Sequence, residues 1–374
     1  MIRKDSTMTT HDASASKQGA ARSTAPRPGA AERDGGSGSG VRTLVFLRDR
    51  GIIVLWIVLV AIFAFWASPY FFTLANAALI ANAAALTAVF AAAVAVGILS
   101  GALDLSIPGS ATMGAVVGAT IIHNGGPAWA GILAGLAVGA AVGAVNGVLV
   151  LRGLNPLVVT IASLTVLGGL AQLVAGGVPI TGITQLGWMG STSYFGIPAP
   201  VFVVAVVYLA GWLFLTKTRS GGRLLGVGGN IDAVRRVGIN ADRYRVLGFI
   251  LSGLCAAIGG LLVTATTTQA SPNPSVDLLF SALTAVALSG MPLTGGRGSL
   301  PRVLVGALII ATIASALIIR GIQPYWSTIA TGVLLVLALG FERLMSRAVA
   351  NRLAPPPRAT LDGASTTHIP AQEA

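Results

Sequence analysis

Residues 74–99 read LANAALIANAAALTAVFAAAVAVGIL, a stretch of 26 residues without one charged side chain. A helix needs about 20 apolar residues to cross the hydrocarbon core of a bilayer, because each residue advances it by about 1.5 Å. This stretch is therefore long enough to span a membrane. Nine other stretches are predominantly apolar, at 51–67, 105–122, 128–151, 157–175, 199–216, 245–267, 277–291, 303–320 and 325–345.

The composition of the 374-residue chain agrees with membrane helices. Hydrophobic residues make up 54% of the chain and charged residues only 10%, whereas a soluble domain carries about 25% charged residues. We therefore predict an all-α fold, a polytopic integral membrane bundle of about ten transmembrane helices. The eighth stretch, 277–291, is short, so it either crosses fully or forms a re-entrant or broken segment.

Basic residues predict the orientation of the bundle. Lys and Arg collect in cytoplasmic loops, and 23 of the 24 lie on one side if both termini are cytoplasmic, with Arg320 alone outside. The net charge of +12 does not indicate a nucleic-acid partner, because the charge lies in short connectors and not on a polar domain. Residues 1–45 and 351–374 lack apolar periodicity and are predicted to be disordered cytoplasmic tails around a transmembrane domain at 46–350.

The chain contains no motif for an energy-coupling or catalytic reaction. None of its three lysines stands in a phosphate-binding loop, and the apolar stretches hold no paired carboxylates or histidines. One cysteine and three distant histidines predict no metal site. Acidic residues are nearly absent from the stretches, which argues against a proton-coupled carrier but leaves sodium coupling open.

Three segments are candidates for function or packing. In loop 217–244, Gly228 and Gly229 are predicted to break the chain, Asn230 to cap a short helix over 231–237 and Gly238 to end it. This loop is either a solvated connector or a docking element for a partner. Asp104 and Ser106 either only cap the third stretch or also face a pore. Five glycines on one face of the fourth stretch predict close helix packing in preference to solute passage: Gly131, Gly135, Gly139, Gly143 and Gly147.

Four segments, in chain order, resemble the ribose/xylose/arabinose-type permease family of ATP-binding cassette (ABC) importers. The resemblance covers about 50–345, with Ala102, Pro108 and Val234 as departures. Pro108 alters the start of the third stretch and leaves the substrate preference open. Residues 101–107 resemble the family pattern Gly-Gly-Ile-Asp-Leu-Ser-Val, and residues 146–147 with 156–160 resemble Asn-Gly followed by Pro-x-x-x-x-Thr. Residues 228–239 resemble Gly-Gly-Asn-x-x-Ala-Ala-Arg-x-x-Gly-Ile, and residues 295–298 resemble Gly-Gly-x-Gly.

The resemblance implies a permease subunit that carries a pentose- or hexose-like monosaccharide across a bacterial inner membrane. It has no ATPase site and no cofactor of its own. The implied partners are an ABC ATPase subunit that binds ATP, an extracytoplasmic solute-binding protein, and a second permease subunit in a homodimer or heterodimer. Import of nucleosides or branched-chain amino acids is the alternative, followed by an ion-coupled secondary transporter and a membrane-embedded enzyme.

The resemblance also implies roles for particular residues. The segment that docks the ATPase comprises Gly228, Gly229, Asn230, Ala233, Arg235, Arg236, Gly238 and Ile239. The candidates for the translocation path are Asp104, Ser106, Asn146 and Thr160.

Overall fold

The computed structural model describes the backbone of residues 37–353 and the side chains of residues 51–344. Contacts divide the chain into two units, residues 1–45 and 46–374, and the packing between helices lies within the second unit. Of the predicted tails at 1–45 and 351–374, only 37–45 and 351–353 are among the described residues, and they belong to the first and last helices; the rest lies outside the described residues, so the predicted domain bounds stay predictions.

Helices dominate the described residues, which confirms the predicted all-α membrane bundle. The helices are α1 (Ser37–Trp66), α2 (Leu74–Leu99), α3 (Ile107–His123), α4 (Ala128–Leu151), α5 (Pro156–Ala175), α6 (Gly187–Gly190), α7 (Ala199–Lys217), α8 (Arg219–Gly229), α9 (Ile231–Arg236), α10 (Ala241–Thr267), α11 (Val276–Leu288), α12 (Leu300–Ile319) and α13 (Pro324–Leu353). Four two-residue strands form two antiparallel pairs, β1 (Ile180–Thr181) with β4 (Gln269–Ala270) and β2 (Ser193–Tyr194) with β3 (Ile197–Pro198).

Each of the ten predicted stretches forms a helix, but the helices differ in length. Seven are long and apolar enough to cross a membrane, and the other three are shorter apolar helices: the 51–66 part of α1, α3 and α11. Helix α11 has 13 residues and is therefore only about 20 Å long, against about 30 Å for the hydrocarbon core. It ends at Leu288 and not at 291, because Gly290 adopts a φ of 72° that terminates the helix.

Helix α2 forms the centre of the bundle. Its residues from Ala84 to Leu99 are buried almost continuously, and α7, α10, α11 and α12 pack around it. A second group consists of α3, α4, α5 and α10, in which α10 contacts both α3 and α4. Because α10 belongs to both groups, it connects the centre of the bundle with the layer that holds the candidate residues.

Connectors predicted on the same side of the membrane contact one another. On the cytoplasmic side, Gly101 has a φ of 85°, and a Cβ there would lie 3.1 Å from the Cα of Gly228. On the outer side, β1 pairs with β4, and the guanidinium of Arg320 lies 5.2 Å from the ring centre of Trp66. The fold therefore agrees with helices that alternate in direction across a membrane.

The glycine stripe of α4 packs against two helices, as predicted. All five glycines are buried. A Cβ on Gly131 or Gly135 would lie 2.7 Å from a backbone oxygen of α3, and a Cβ on Gly143 would overlap the carbonyl oxygen of Phe249 in α10. The stripe lets three helix backbones approach closely.

Candidate functional site

Asp104 lies in the connector between α2 and α3, and its carboxylate accepts three hydrogen bonds. Oδ1 accepts from the backbone N–H of Ser106 at 2.9 Å and from the Ser106 hydroxyl at 2.6 Å. Oδ2 accepts from the hydroxyl of Ser252, in the middle of α10, at 2.9 Å. Asp104 and both serines are buried. Over the described part of the chain, all of the partners of this carboxylate are hydroxyl and amide groups and none is a cation.

The hydrogen bonds continue from Ser106 into α4 and α5. Asn146 Nδ2 donates to the hydroxyl of Ser106 at 2.9 Å, and Asn146 Oδ1 accepts from the hydroxyl of Ser163 at 2.5 Å. We call Asp104, Ser106, Asn146, Ser163 and Ser252 the polar network. Its members connect the α2–α3 segment with α4, α5 and α10, so their hydrogen bonds fix the relative positions of these helices.

The structure corrects the predicted role of Ser106 as a helix cap. Ser106 precedes the first turn of α3, but its side chain accepts no bond from a helix amide. Its hydroxyl donates to Asp104 instead, and Pro108 stands in the first turn of the helix. The Ser106 oxygen accepts from the side-chain amide of Asn146, and the Ser106 backbone is helical and not in the extended conformation usual at an N-cap.

Three of the four translocation-path candidates belong to the polar network, and Thr160 does not. Thr160 is buried on α5, one turn before Ser163, and donates to the carbonyl of Leu157 at 3.3 Å. Ser163 and Ser252 were not predicted as members of the site. A serine within a long apolar stretch was the available signal, but many such serines bond only to their own helix.

Ser110 carries a buried hydroxyl without a partner. It lies on α3, one turn after Ser106, and among the described residues it is the buried side-chain polar group that makes no hydrogen bond. Its backbone N–H bonds to the carbonyl of Ser106 at 2.8 Å. The polar network therefore ends at Ser106 on this helix and does not extend to Ser110.

The predicted chain break at Gly228 and Gly229 is wrong, because both glycines belong to the last turn of α8. Gly228 is buried, and any side chain on it would overlap the carbonyl oxygen of Leu99. Gly296, from the connector before α12, lies against both residues. These glycines allow three backbone segments to meet, and the helix ends only at Asn230, whose φ is −158°.

Helix α9 forms as predicted, with both predicted ends. The Asn230 side chain accepts from the N–H of Ala233 at 2.9 Å. Gly238, with a φ of 76°, donates to the Arg235 carbonyl at 3.0 Å, and Ile239 donates to the Val234 carbonyl at 3.3 Å. These two bonds form the glycine-terminated C-cap that the sequence predicts.

The two arginines of α9 differ in their surroundings. Arg235 forms an ion pair of 2.7 Å with Asp242 in the first turn of α10, with both side chains about half exposed. Arg236 is exposed, and in the described part of the chain it has no hydrogen-bond or ion-pair partner. Gly229, Asn230, Ala233 and Gly238 are also exposed, and Ile239 is partly buried. The docking role of this segment stays a prediction.

The fold and the site define a class, a multi-pass α-helical membrane protein with polar side chains buried between its helices. Residues 76–339 match the family described as "Branched-chain amino acid transport system / permease component", and the chain belongs to this family of transport permeases. The predicted resemblance to ABC importer permeases and the predicted location in a membrane are thereby confirmed.

Individual relatives in this family carry names that specify sugars. The chain is similar to the ribose import permease protein of Escherichia coli strain K12, at 32% identity over 81% of this chain and 96% of that protein. It is also similar to the L-arabinose transport system permease protein of the same strain, at 32% identity over 83% and 97% of the two chains. The D-allose transport system permease protein of that strain is 29% identical over 81% and 94%.

Proposed function

We propose that the chain is the membrane-spanning permease subunit of an ABC importer that carries a monosaccharide across a bacterial inner membrane. The observation that carries this proposal is the similarity to ribose, arabinose and allose permeases over nearly their whole length. The family description mentions branched-chain amino acids, but the individual relatives favour a sugar over an amino acid or a nucleoside.

The proposed importer takes its energy from a separate ATPase subunit. Helix α9 offers the contact, because it is short, exposed and held at both ends by caps. The connector predicted to be cytoplasmic contains α8 and α9, and the free charge of Arg236 is available to an acidic surface on the ATPase. Arg235 instead joins α9 to α10.

Two further partners complete the proposal, a second copy of the permease and an extracytoplasmic solute-binding protein. The hairpin of β2 and β3, on the predicted outer side, supports a contact with the solute-binding protein. Phe195 at its tip has a φ of 53° and a fully exposed ring. An exposed aromatic side chain on a turn is a suitable anchor for a protein surface.

Competition for uptake tests the solute class. The chain is reconstituted in vesicles with its partner ATPase and solute-binding protein, and ATP-driven uptake of labelled D-ribose, L-arabinose and D-allose is measured. We expect uptake of at least one of these sugars, reduced by excess unlabelled sugar but not by L-leucine or adenosine. Uptake of L-leucine or adenosine with no uptake of any sugar would contradict the proposal.

A further inference from the structure

Arg320 is the C-cap residue of α12 and the basic residue that the predicted orientation places on the outer side of the membrane. Its side chain is exposed, and its guanidinium lies 5.2 Å from the ring centre of Trp66, at the end of α1. Within the described residues the guanidinium has no other interaction partner. No acidic side chain in that part of the chain therefore neutralises its charge.

The length of α12 places Arg320 at the depth of the lipid headgroups. The helix has 20 residues, Leu300–Ile319, and is therefore about 30 Å long, which matches the thickness of the hydrocarbon core. A residue that directly follows such a helix lies where the hydrocarbon ends and the phosphates begin. Trp and Tyr are enriched at this depth. Trp66 ends α1, and Tyr325 and Trp326 begin α13, at helix ends on the same side of the bundle, and all three are exposed.

Below this level, α1 and α13 expose apolar side chains on the same faces as their aromatic residues. Ile62 lies one turn below Trp66, and Ile329 lies one turn below Tyr325. Both isoleucines are about half exposed. These faces suit the acyl chains of a lipid, and a lipid whose chains lie along them brings its phosphate to the level of Arg320.

The guanidinium and the ring together form a receptor for a phosphate group. A guanidinium that rests on an aromatic face keeps N–H donors free at its edge, and these donors match the oxygens of a phosphate. The contact with Trp66 also restricts the long arginine side chain, which lowers the entropy cost of binding a ligand. Phospholipid phosphates are present at this depth, whereas a carboxylate on a soluble partner protein would lie beyond the headgroups.

We infer that Arg320 and Trp66 bind the phosphate of one phospholipid in the outer leaflet. The guanidinium pairs with the phosphate oxygens, and the acyl chains lie against the exposed faces of α1 and α13. Because Arg320 belongs to α12, the bound lipid joins the outer ends of these helices. The inference does not depend on which solute the permease carries.

The test is native mass spectrometry of the purified permease, titrated with phosphatidylglycerol in detergent. Arg320→Gln removes the charge, and Trp66→Leu removes the ring but keeps an apolar side chain. Arg152→Gln is the matched control, because Arg152 is also an exposed C-cap residue, of α4, and has no aromatic ring beside it among the described residues. The thermal midpoint of each variant without added lipid shows whether it is folded.

We expect Arg320→Gln to retain phosphatidylglycerol roughly ten-fold more weakly, the equivalent of one lost charge-assisted hydrogen bond. Trp66→Leu should also bind the lipid more weakly, and Arg152→Gln should match the wild type. Diacylglycerol, which lacks the phosphate, and glycerol 3-phosphate, which lacks the chains, should bind weakly and equally to all four proteins. If Arg320→Gln has a lower thermal midpoint than the wild type, Trp66→Leu decides by the same comparison.

Three results would overturn the inference. The first is equal retention of phosphatidylglycerol by Arg320→Gln and Arg152→Gln. The second is binding of glycerol 3-phosphate as tight as that of phosphatidylglycerol, which would make the site one for free phosphate compounds. The third is an Arg320→Gln variant that retains the lipid normally but binds the solute-binding protein more weakly, which would assign Arg320 to that partner. None of these results would contradict the proposed function.

Discussion

At the scale of single residues, the decisive feature is a buried carboxylate without a cation among its partners in the described part of the chain. Asp104 accepts three hydrogen bonds from Ser106 and Ser252, and Ser106 in turn accepts from Asn146. A buried carboxyl group is tolerated only when hydrogen-bond partners replace the lost water. The donors come from the start of α3 and from α10, so the carboxylate holds these helices in one arrangement.

Asp104→Asn should reduce uptake strongly while the amount of protein in the membrane stays normal. The amide keeps the size of the side chain but brings two N–H donors to a place that already contains hydroxyl donors. Each hydrogen bond that is lost costs about 1 kcal/mol, so the thermal midpoint of the purified protein should also fall. Asp277→Asn, at the exposed start of α11, is the matched control. Normal uptake by Asp104→Asn would mean that the network does not matter for transport.

Only part of the polar network could be predicted from the sequence, and the two serines on α5 and α10 could not, for a physical reason. Asp104, Ser106 and Asn146 belong to recognisable motifs, whereas Ser252 meets Asp104 across 148 positions of the chain. Such a contact depends on how α10 packs, and a single serine in an apolar stretch does not specify its partner. Ser163 likewise reaches α4 only because α5 lies beside it.

At the scale of elements, glycines determine which helices come closest. The stripe on α4 predicts a close neighbour from its spacing alone, and α3 and α10 are those neighbours. At Gly228 and Gly229 the sequence-based prediction of a chain break is wrong. Glycine favours a break when a segment is considered by itself. There the close approach of Leu99 and Gly296 keeps both glycines in α8. Helix α8 itself was not predicted, since its 11 residues are rich in glycine and show no long apolar stretch.

Gly143→Ala should destabilise the contact between α4 and α10. The added methyl group would overlap the carbonyl oxygen of Phe249, which is backbone and has no rotamer to change, so a loss of about 1–3 kcal/mol is expected. Gly169→Ala in α5 is the control, because no atom lies within 4 Å of its added Cβ. Thermal unfolding in detergent measures both. Equal midpoints for the two variants would contradict close packing at Gly143.

At the scale of the whole molecule, α10 joins the loop predicted to be cytoplasmic to the connectors predicted on the outer side. Arg235 attaches α9 to α10 through Asp242. Helix α10 then extends over 27 residues, about 40 Å, past Ser252 in the polar network to Thr267, next to the paired strands β1 and β4. ATPase closure shifts a permease between states only through contacts that differ between them. Helix α9 is where such a contact would act.

The central claim is that the ATPase contacts this permease at α9 and that this contact couples ATP hydrolysis to transport. The most direct test is ATP turnover by the reconstituted complex, measured with and without sugar-loaded binding protein. Arg236→Glu places a negative charge where an acidic partner is expected, and like charges at a contact cost several kcal/mol. Its stimulation by binding protein should therefore fall at least ten-fold. Arg152→Glu, which changes an exposed charge after α4 on the side predicted to be cytoplasmic, should retain the wild-type stimulation. Wild-type stimulation in Arg236→Glu would contradict the claim.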